Sequence, residues 1–237
     1  MELKRVVVTG LGAVTPLGLN VDETWEALLN GVSGAGPITH FDASQFKTQF
    51  ACEVKNFDPT LYLDKKEVRK FDRYAQFAVA AAKEAVGDSA LDLEKVDKNR
   101  VGVIFAAGIG GIRTFEEEVG GYFTNIERGP KFNPFFIPKM IADIAAGHIS
   151  MIYGFHGPNY ATVSACASST HSLIDAFNNI RLGKADVIVT GGAEAAISVA
   201  GIGGFNAMHA ISTRNEDPQT ASRPFSASRD GFVMGEG

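Results

Sequence analysis

The sequence has too few cysteines, too little positive charge and too short hydrophobic runs for several classes of protein. Its 237 residues include two cysteines, Cys52 and Cys166, which cannot make a disulfide framework and are typical of a reduced, intracellular protein. The net charge of -5 argues against a nucleic-acid binder, which would carry a basic face. No run reaches the roughly 18 apolar residues of a transmembrane helix, and no signal-peptide pattern opens the chain. We therefore expect a cytoplasmic protein that binds neither nucleic acid nor membrane.

Composition and hydrophobic pattern favour an α/β domain. Apolar residues make up 45% and charged residues 21%, as in an ordinary globular protein of one large domain or two small ones. Short β-branched runs that end in glycine predict buried strands of a parallel sheet at residues 5–10, 101–108 and 187–192. Helical patterns lie between them at residues 21–29, 72–86, 138–153 and 167–182, with Asn20 or Asp22 as N-cap of the first. Strands that alternate with helices indicate a layered α/β fold.

Two stretches interrupt this alternation, at residues 32–64 and 113–137. Both are rich in Gly, Pro, Phe and Asn, and prolines 130, 134 and 138 exclude a continuous helix around the second. We predict that both are insertions above the sheet. Residues 231–237 have the pattern of a new strand, so we expect the chain to stop within an element.

The glycines after the first predicted strand, Gly10 and Gly12, invite comparison with a dinucleotide-binding loop. Such a loop opens directly into a helix, and a second strand ends in Asp or Glu about 20 residues further on. Here a Thr-Pro-Leu-Gly turn delays the helix, and a Ser-Gly-Ala-Gly-Pro stretch follows it. Two further glycine clusters, at 108–111 and 201–204, lack the Lys-Ser/Thr of a phosphate loop. We therefore expect no nucleotide cofactor, and because the histidines lack metal-ligand spacing we expect no metal.

Cys166 is the strongest candidate for chemistry. It lies in a run of small residues between a short predicted strand and a helix. The positive end of a helix dipole stabilises a thiolate, and backbone N–H groups at such a turn can donate to an oxyanion. The alternative is a buried, inert cysteine, which is also the expectation for Cys52. No histidine is obviously paired with Cys166: His171 lies off its helical face, and we expect structural or surface roles for all five.

A cluster of basic residues stands out on this acidic protein. Lys65, Lys66, Arg69 and Lys70 are followed by Arg73, and positions 66, 69, 70 and 73 would share one face of a continuous helix. Such a patch can steer an acidic partner to the surface. The alternative is a solvated helix face.

Several motifs together resemble a known family. They are residues 5–12 (Arg-Val-Val-Val-Thr-Gly-Leu-Gly), 157–159 (Gly-Pro-Asn), 164–168 (Ser-Ala-Cys-Ala-Ser), 191–194 (Gly-Gly-Ala-Glu), 222–225 (Ser-Arg-Pro-Phe) and 229–232 (Arg-Asp-Gly-Phe). In this order, over essentially the whole chain, they resemble the elongating 3-oxoacyl-[acyl-carrier-protein] synthases, also called beta-ketoacyl synthases. Within that family the chain is most similar to the synthase II type of bacterial fatty-acid synthesis. The resemblance implies a thiolase-like fold, in which two similar α/β halves form an α-β-α-β-α core, usually in a homodimer.

The same resemblance implies a reaction without a cofactor. In this family the cysteine takes an acyl chain from acyl carrier protein as a thioester, and the carbanion formed by decarboxylation of malonyl-carrier protein attacks it. Cys166 matches the nucleophile, and its amide would supply one oxyanion donor. The positions that match the acyl tunnel and the active-site wall are Ile109, Phe136 (which reaches across the dimer) and Phe205. The positions that match the carrier-protein contact are Lys65, Lys66, Arg69 and Lys70.

The sequence also departs from the family pattern. The family's two catalytic histidines, in His-Gly-Thr-x-Thr and Gly-His-x-x-Gly motifs, belong to a second half, together with the glycine-rich loop that gives the other oxyanion donor. None of these motifs occurs in residues 1–237. We therefore expect the N-terminal half of a synthase, with cap insertions and inactive in condensation by itself. The alternatives are a thiolase-like or polyketide-type condensing enzyme, or a non-catalytic condensing-enzyme subunit.

Overall fold

The protein is a mixed α/β structure with helices before, between and after its strands. A computed structural model describes residues 3–237. The α-helices are α1 (Val21–Leu29), α2 (Lys65–Val68), α3 (Arg73–Asp88), α4 (Ile112–Thr124), α5 (Phe136–Met140), α6 (Ile144–Tyr153), α7 (Ser168–Arg181) and α8 (Val199–Ala207). The strands are β1 (Gly36–Pro37), β2 (Phe50–Ala51), β3 (Val101–Ala106), β4 (Asn159–Tyr160) and β5 (Val187–Gly192). Short 3-10 turns cover Pro59–Leu61, Lys98–Arg100, Ile126–Arg128, Ala165–Ala167 and Pro218–Thr220. In this part of the chain, no helix has both the length and the apolar character that crossing a membrane would require.

The central sheet is parallel and has the order β4-β3-β5. Strand β3 is buried along its whole length, as its continuous apolar run predicts, whereas β5 is only half-buried. The two strands pair in register from Val101 opposite Val187 to Ala106 opposite Gly192. The strands predicted at 101–108 and 187–192 are therefore confirmed, the first with shorter bounds and the second without the predicted burial.

Helices cover the sheet on both faces. Val101, Val103 and Phe105 face α3 and α6 in the main hydrophobic core, because alternate residues of a strand point to opposite faces. Helix α7 packs on the other face, where a Cβ placed on Gly192 would collide with the Ser169 hydroxyl. The layered α/β fold is therefore confirmed, and it places the start of α7 beside the ends of β3 and β5.

Local signals explain where the long helices begin. The Asn20 side chain accepts a hydrogen bond from the Glu23 N–H and caps α1, whose bounds match the prediction. Asp72 caps α3 by accepting from the Tyr74 N–H, and the alanine-rich face of α3 is buried. Helix α3 continues to Asp88, two residues beyond the predicted end at residue 86, and α7 is one residue shorter at each end than predicted.

The first predicted strand, residues 5–10, is wrong. The structure assigns no strand there, and the side chains of Val7 and Val8 are 62% and 78% exposed. No neighbouring strand of the described sheet pairs with this segment. The residues that follow it bind α3 instead, where the Leu11 N–H donates to Asp88 and the Ala13 N–H to Glu84. A Cβ on Gly10 or Gly12 would lie within about 2.2 Å of an α3 carbonyl oxygen, so these glycines allow close packing on α3.

Three other expectations can be compared with the structure. No continuous helix spans residues 113–137, as the prolines predicted, but α4 occupies Ile112–Thr124 in the first part of this stretch. The single helix predicted over 138–153 is divided into α5 and α6, and the chain turns between them. Residues 231–237 form isolated bridges, Ile211 with Phe232 and Cys52 with Gly235, instead of a regular strand.

A second, smaller core brings residues 38–51 together with residues 196–234. The antiparallel pair β1–β2 lies in the stretch 32–64, which was expected to be an insertion. Its residues pack with those of α8 and the C-terminal segment, and the buried members are Ile38, Ala43, Ala51, Ala196, Ile197, Ile202, Ile211 and Met234. This core fixes the C-terminal residues against the rest of the domain.

Candidate active site

Cys166 lies at the surface where the chain turns from β4 into α7. It occupies the 3-10 turn Ala165–Ala167, which leads directly into the first residue of α7. The residue is exposed, and its sulfur is a free thiol. Cys166 is therefore not buried, in contrast to what the alternative considered for it expected. An exposed thiol at the start of a 14-residue helix has room for an electrophile and faces the positive end of the helix dipole.

The turn that presents Cys166 has an unusual backbone. Ala165 has φ = 52°, in the left-handed region that costs a non-glycine residue roughly 1–2 kcal/mol. The Ser168 hydroxyl accepts from the Ser164 N–H at 2.8 Å and donates to the Ala165 carbonyl at 2.6 Å. The Thr162 hydroxyl donates to the Ser168 carbonyl at 2.8 Å. These hydrogen bonds close the turn on both sides of the cysteine.

Sequence reasoning missed the position of His171. Its Nδ1 lies 2.6 Å from the Ser164 Oγ, so the ring is tied to the turn that carries Cys166. Cys166 lies in the 3-10 turn before α7, and its spacing from His171 carried no information about the serine seven residues before the histidine. This exposed contact joins α7 to Ser164, two residues before Cys166.

The loop after β3 lies next to the cysteine turn and is held by a half-buried carboxylate. Glu194 accepts hydrogen bonds from the Ile109 N–H at 2.7 Å and the Gly110 N–H at 3.2 Å. Burial raises the pKa of Glu194 above its usual value, against the opposing effect of these amides. A Cβ placed on Gly108 would lie 2.9 Å from the Glu194 Oε2 and 3.9 Å from the Ala165 carbonyl oxygen. This loop therefore connects the cysteine turn with the apolar surface around Ile109.

That apolar surface is a groove of about 350 Å³. Its lining residues are Ile109, Ile112, Phe115, Met140, Ile141 and Ala142. Phe136, at the start of α5, is its neighbour, because its ring lies 6.3 Å from that of Phe115 and stacks on that of Phe132 at 5.5 Å. The structure thus brings together the regions of two of the three predicted acyl-site residues, Ile109 and Phe136.

The third, Phe205, lies elsewhere in the described structure. It belongs to α8 and packs against the smaller core, with its ring edge-to-face with that of Phe232 at 5.4 Å. It is half-buried and is not among the residues that line the groove within residues 3–237. Its predicted place in the active-site wall stays a prediction.

The basic cluster forms a smaller patch than predicted. Helix α2 ends at Val68, so the continuous helix assumed for positions 66 to 73 is wrong. Lys65, Lys66 and Arg69 are exposed, whereas Lys70 is half-buried and pairs with Glu67 at 2.6 Å. The Lys70 ammonium also lies 5.6 Å from the centre of the Phe135 ring. The patch is therefore adjacent to the segment that leads into α5.

Arg73 does not belong to the patch. It is the first residue of α3, and its guanidinium binds Glu236, whose side chain is fully buried. The Nε2 of His40 lies 3.1 Å from the same carboxylate. Burial by itself would raise the pKa of Glu236, but the hydrogen bonds from His40 and Arg73 hold it below its usual value. These residues stabilise the smaller core, so the structural role expected for His40 fits its contacts.

The remaining cysteine and one further histidine have structural positions. Cys52 is half-buried beside Gly235, and burial raises the pKa of its thiol. His148 stacks on Phe71 with a ring distance of 3.6 Å, and burial lowers the pKa of His148 to about 4. Within residues 3–237, no side-chain hydrogen bond joins Cys52 or His148 to the cysteine turn.

Comparisons with known proteins agree with this geometry. The family model described as "Beta-ketoacyl synthase, N-terminal domain" matches residues 3–237. The 3-oxoacyl-[acyl-carrier-protein] synthase 2 of Coxiella burnetii is 48% identical over 237 residues, which are 100% of this chain and 57% of the relative. A solved beta-ketoacyl synthase from Burkholderia phymatum superposes with a TM-score of 0.85 and 29% identity, over 98% of this chain and 56% of that one. A type II polyketide ketosynthase, solved in complex with its acyl-carrier protein, superposes with a TM-score of 0.84 and 30% identity over the same shares. The chain thus spans little more than half the length of these proteins.

Proposed function

The chain belongs to the beta-ketoacyl synthase family through its N-terminal domain, and on this premise we propose that its protein condenses acyl and malonyl groups carried by acyl carrier protein. The thiolase-like α/β fold expected from the resemblance is confirmed by the match to solved synthases. The observation that carries the proposal is the exposed Cys166 thiol in its strained turn at the start of α7. Fatty-acid elongation is favoured because identity is 48% to a synthase 2 and about 30% to the polyketide ketosynthase.

In the first half-reaction Cys166 acts as the nucleophile. Its sulfur attacks the carbonyl carbon of the acyl thioester on the carrier protein, a C–S bond to Cys166 forms, and the bond to the carrier's thiol breaks. The released carrier thiolate takes up the proton that the Cys166 thiol gave up. Covalent capture divides a difficult condensation into two easier steps. The Cys166 N–H serves as one donor to the oxyanion of the tetrahedral intermediate.

In the second half-reaction a malonyl thioester loses CO₂ and the resulting carbanion attacks the carbonyl carbon of the Cys166 thioester. A C–C bond forms, the C–S bond to Cys166 breaks, and the cysteine thiolate is regenerated and protonated. The histidines that assist this step in the family lie in motifs that residues 1–237 do not contain. We propose that residues 1–237 form one half of a two-half core and do not condense by themselves.

The acyl chain occupies the apolar groove beside Ile109 in this proposal. All the side chains that line this groove are apolar, which suits an alkyl chain. Phe136 neighbours the groove within its own chain and, in a homodimer, also reaches toward the acyl tunnel of the other subunit, while Phe205 forms a wall of the complete site. The Glu194-bound loop connects this groove with the cysteine turn.

The carrier protein docks at the basic patch, through Lys65, Lys66, Arg69 and Lys70. An acidic carrier would be steered by these side chains, three of which are exposed. The polyketide ketosynthase that resembles this chain was solved with an acyl-carrier protein bound, which supports a carrier protein as partner. We also propose a cytoplasmic location, because both cysteines are free thiols, as is typical of a reducing compartment.

The proposal is tested by restoring a second half. A chimera of residues 1–237 with the part of the Coxiella burnetii synthase beyond the matched region is incubated with acyl- and malonyl-carrier protein. We expect a 3-oxoacyl thioester, detected by mass spectrometry, and none from the Cys166→Ala chimera. A folded chimera without product would contradict the proposal. A product from polyketide starter groups but none from saturated acyl groups would favour the polyketide-type alternative.

A further inference from the structure

Ser168, two residues after the candidate nucleophile, has a buried hydroxyl that contacts the backbone of the two residues just before it. The residue is only 4% exposed, unlike Cys166, Ala167 and Ser169 around it. Its Oγ accepts from the Ser164 N–H and donates to the Ala165 carbonyl, at 2.8 and 2.6 Å. One side chain thus satisfies a donor and an acceptor in the turn that carries Cys166.

The turn needs such support because its backbone is strained. Alanine has no local reason to adopt φ = 52°, and such conformations persist only where the surroundings over-determine them. The Ala165 carbonyl receives two hydrogen bonds from Ser168, one from its N–H and one from its hydroxyl. The strained peptide is therefore held by the first residue of α7.

Ser168 is itself fixed with respect to the sheet. Its carbonyl accepts from the Thr162 hydroxyl on the segment that follows β4. One turn further along α7, the fully buried Ser172 donates to the Gly191 carbonyl in β5. The position of the Ser168 hydroxyl is thus set by rigid elements, and the cysteine turn takes its position from Ser168.

We propose that Ser168 is a positioning residue that holds Cys166 in the conformation that accepts an acyl group. The inference rests on the proposed role of Cys166 as acyl acceptor. Without the hydroxyl, the Ser164 N–H loses its acceptor and Ala165 relaxes toward a right-handed conformation, which turns the sulfur and the Cys166 N–H away from their common target. Misplacement of a reacting group by about 1 Å can cost about a hundredfold in rate.

The experiment measures acyl transfer from acyl-carrier protein to Cys166 of the 237-residue chain, resolved by peptide mass spectrometry. The variants are Ser168→Ala, which removes the hydroxyl, and Ser168→Thr, which keeps it. Ser169→Ala is the matched control, because Ser169 is the next residue and its hydroxyl takes part in none of the hydrogen bonds of residues 3–237. The alkylation rate of half-buried Cys52 reports in each sample whether the fold is intact.

We expect Ser168→Ala to slow acylation of Cys166 at least about tenfold, with Ser168→Thr recovering most of the rate and Ser169→Ala unchanged. Equal rates for the wild type and a folded Ser168→Ala variant would overturn the inference. So would a Ser168→Thr variant that is folded and as slow as Ser168→Ala, since the hydroxyl would then not be the cause.

Amide hydrogen exchange of the unmodified chain gives a test that needs no variant. The Ser164 N–H should be protected, because the Ser168 hydroxyl is its acceptor. A freely exchanging Ser164 amide would overturn the inference even if every variant failed to fold. Failure of the proposed function looks different: the wild-type chain then takes no acyl group at Cys166 while its Ser164 amide stays protected.

Discussion

Arg73 and Glu236 form a buried ion pair between the first turn of α3 and the C-terminal segment, with Nη2 and Oε1 2.8 Å apart. The Glu236 side chain is fully buried and that of Arg73 is 22% exposed. The carboxylate also accepts from the Val54 N–H at 3.0 Å. This pair joins the two hydrophobic cores, since α3 belongs to the main core and Met234 to the smaller one.

Glu236→Gln should destabilise the fold by about 3 kcal/mol, because removing one partner leaves a largely buried Arg73 charge uncompensated. Urea unfolding followed by circular dichroism measures the change. Lys95→Gln is the control, because the Lys95–Asp92 pair is exposed and such pairs contribute little. Equal stability of the Glu236→Gln variant and the wild type would show that this pair does not hold the cores together.

His148 should make the stability depend on pH between about 4 and 6.5. Burial lowers its pKa to about 4 in the folded state, whereas in the unfolded chain it titrates near 6.5. Within this window the unfolded state binds a proton that the folded state does not, so stability falls as pH falls, by an amount on the order of 2 kcal/mol. His148→Phe keeps a ring against Phe71 and cannot titrate, so its free energy of unfolding should change less over the window. Parallel pH profiles for the two proteins would disprove this.

Ile109→Phe should shift the acyl preference toward short chains. The larger ring fills part of the groove beside the Glu194-bound loop. The ratio of palmitoyl to butyryl transfer onto Cys166, each from carrier protein, should fall about tenfold. Leu61→Phe serves as control, because Leu61 is 74% exposed and is not a groove residue. An unchanged ratio in the Ile109 variant would place the acyl chain elsewhere.

Charge reversal of the basic patch should slow acylation only when the donor is a carrier protein. A Lys65→Glu, Lys66→Glu, Arg69→Glu variant repels an acidic carrier and loses electrostatic steering, with an expected effect of about tenfold at low salt and less at high salt. A small acyl thioester without a carrier should react at the wild-type rate. Lys95→Glu, which changes a charge outside the patch, is the matched control. If the small thioester is slowed equally, the patch does not act by docking.

Much of the fold follows from local sequence signals. Asn20 and Asp72 each cap a helix as short polar residues do, and the continuous apolar run of β3 indicated its full burial. The run at residues 5–10 has the same β-branched pattern but no partner strand among the described residues, so strand propensity does not decide its state. A strand needs a neighbour, and local sequence does not report one.

Part of the candidate site was likewise predictable from the sequence and part was not. Cys166 and the helix after it were predictable from residue types and their order, whereas Ile109 was predicted only from the family resemblance. The left-handed Ala165 and the role of the Ser168 hydroxyl were not, since alanine does not favour this conformation and serine is common at helix starts. The Glu236 cluster was also hidden, because its partners His40 and Arg73 are 196 and 163 residues away in sequence.

The most direct measurement is the intact mass of the 237-residue chain after incubation with acyl-carrier protein. Cys166→Ala and Cys52→Ala variants are treated in parallel, and the Coxiella burnetii synthase serves as positive control. We expect one acyl adduct on the wild type and on Cys52→Ala, located at position 166 by peptide mapping, and none on Cys166→Ala. An unmodified chain beside an acylated control, or an adduct that persists in Cys166→Ala, would contradict the assignment of Cys166 as the acyl acceptor.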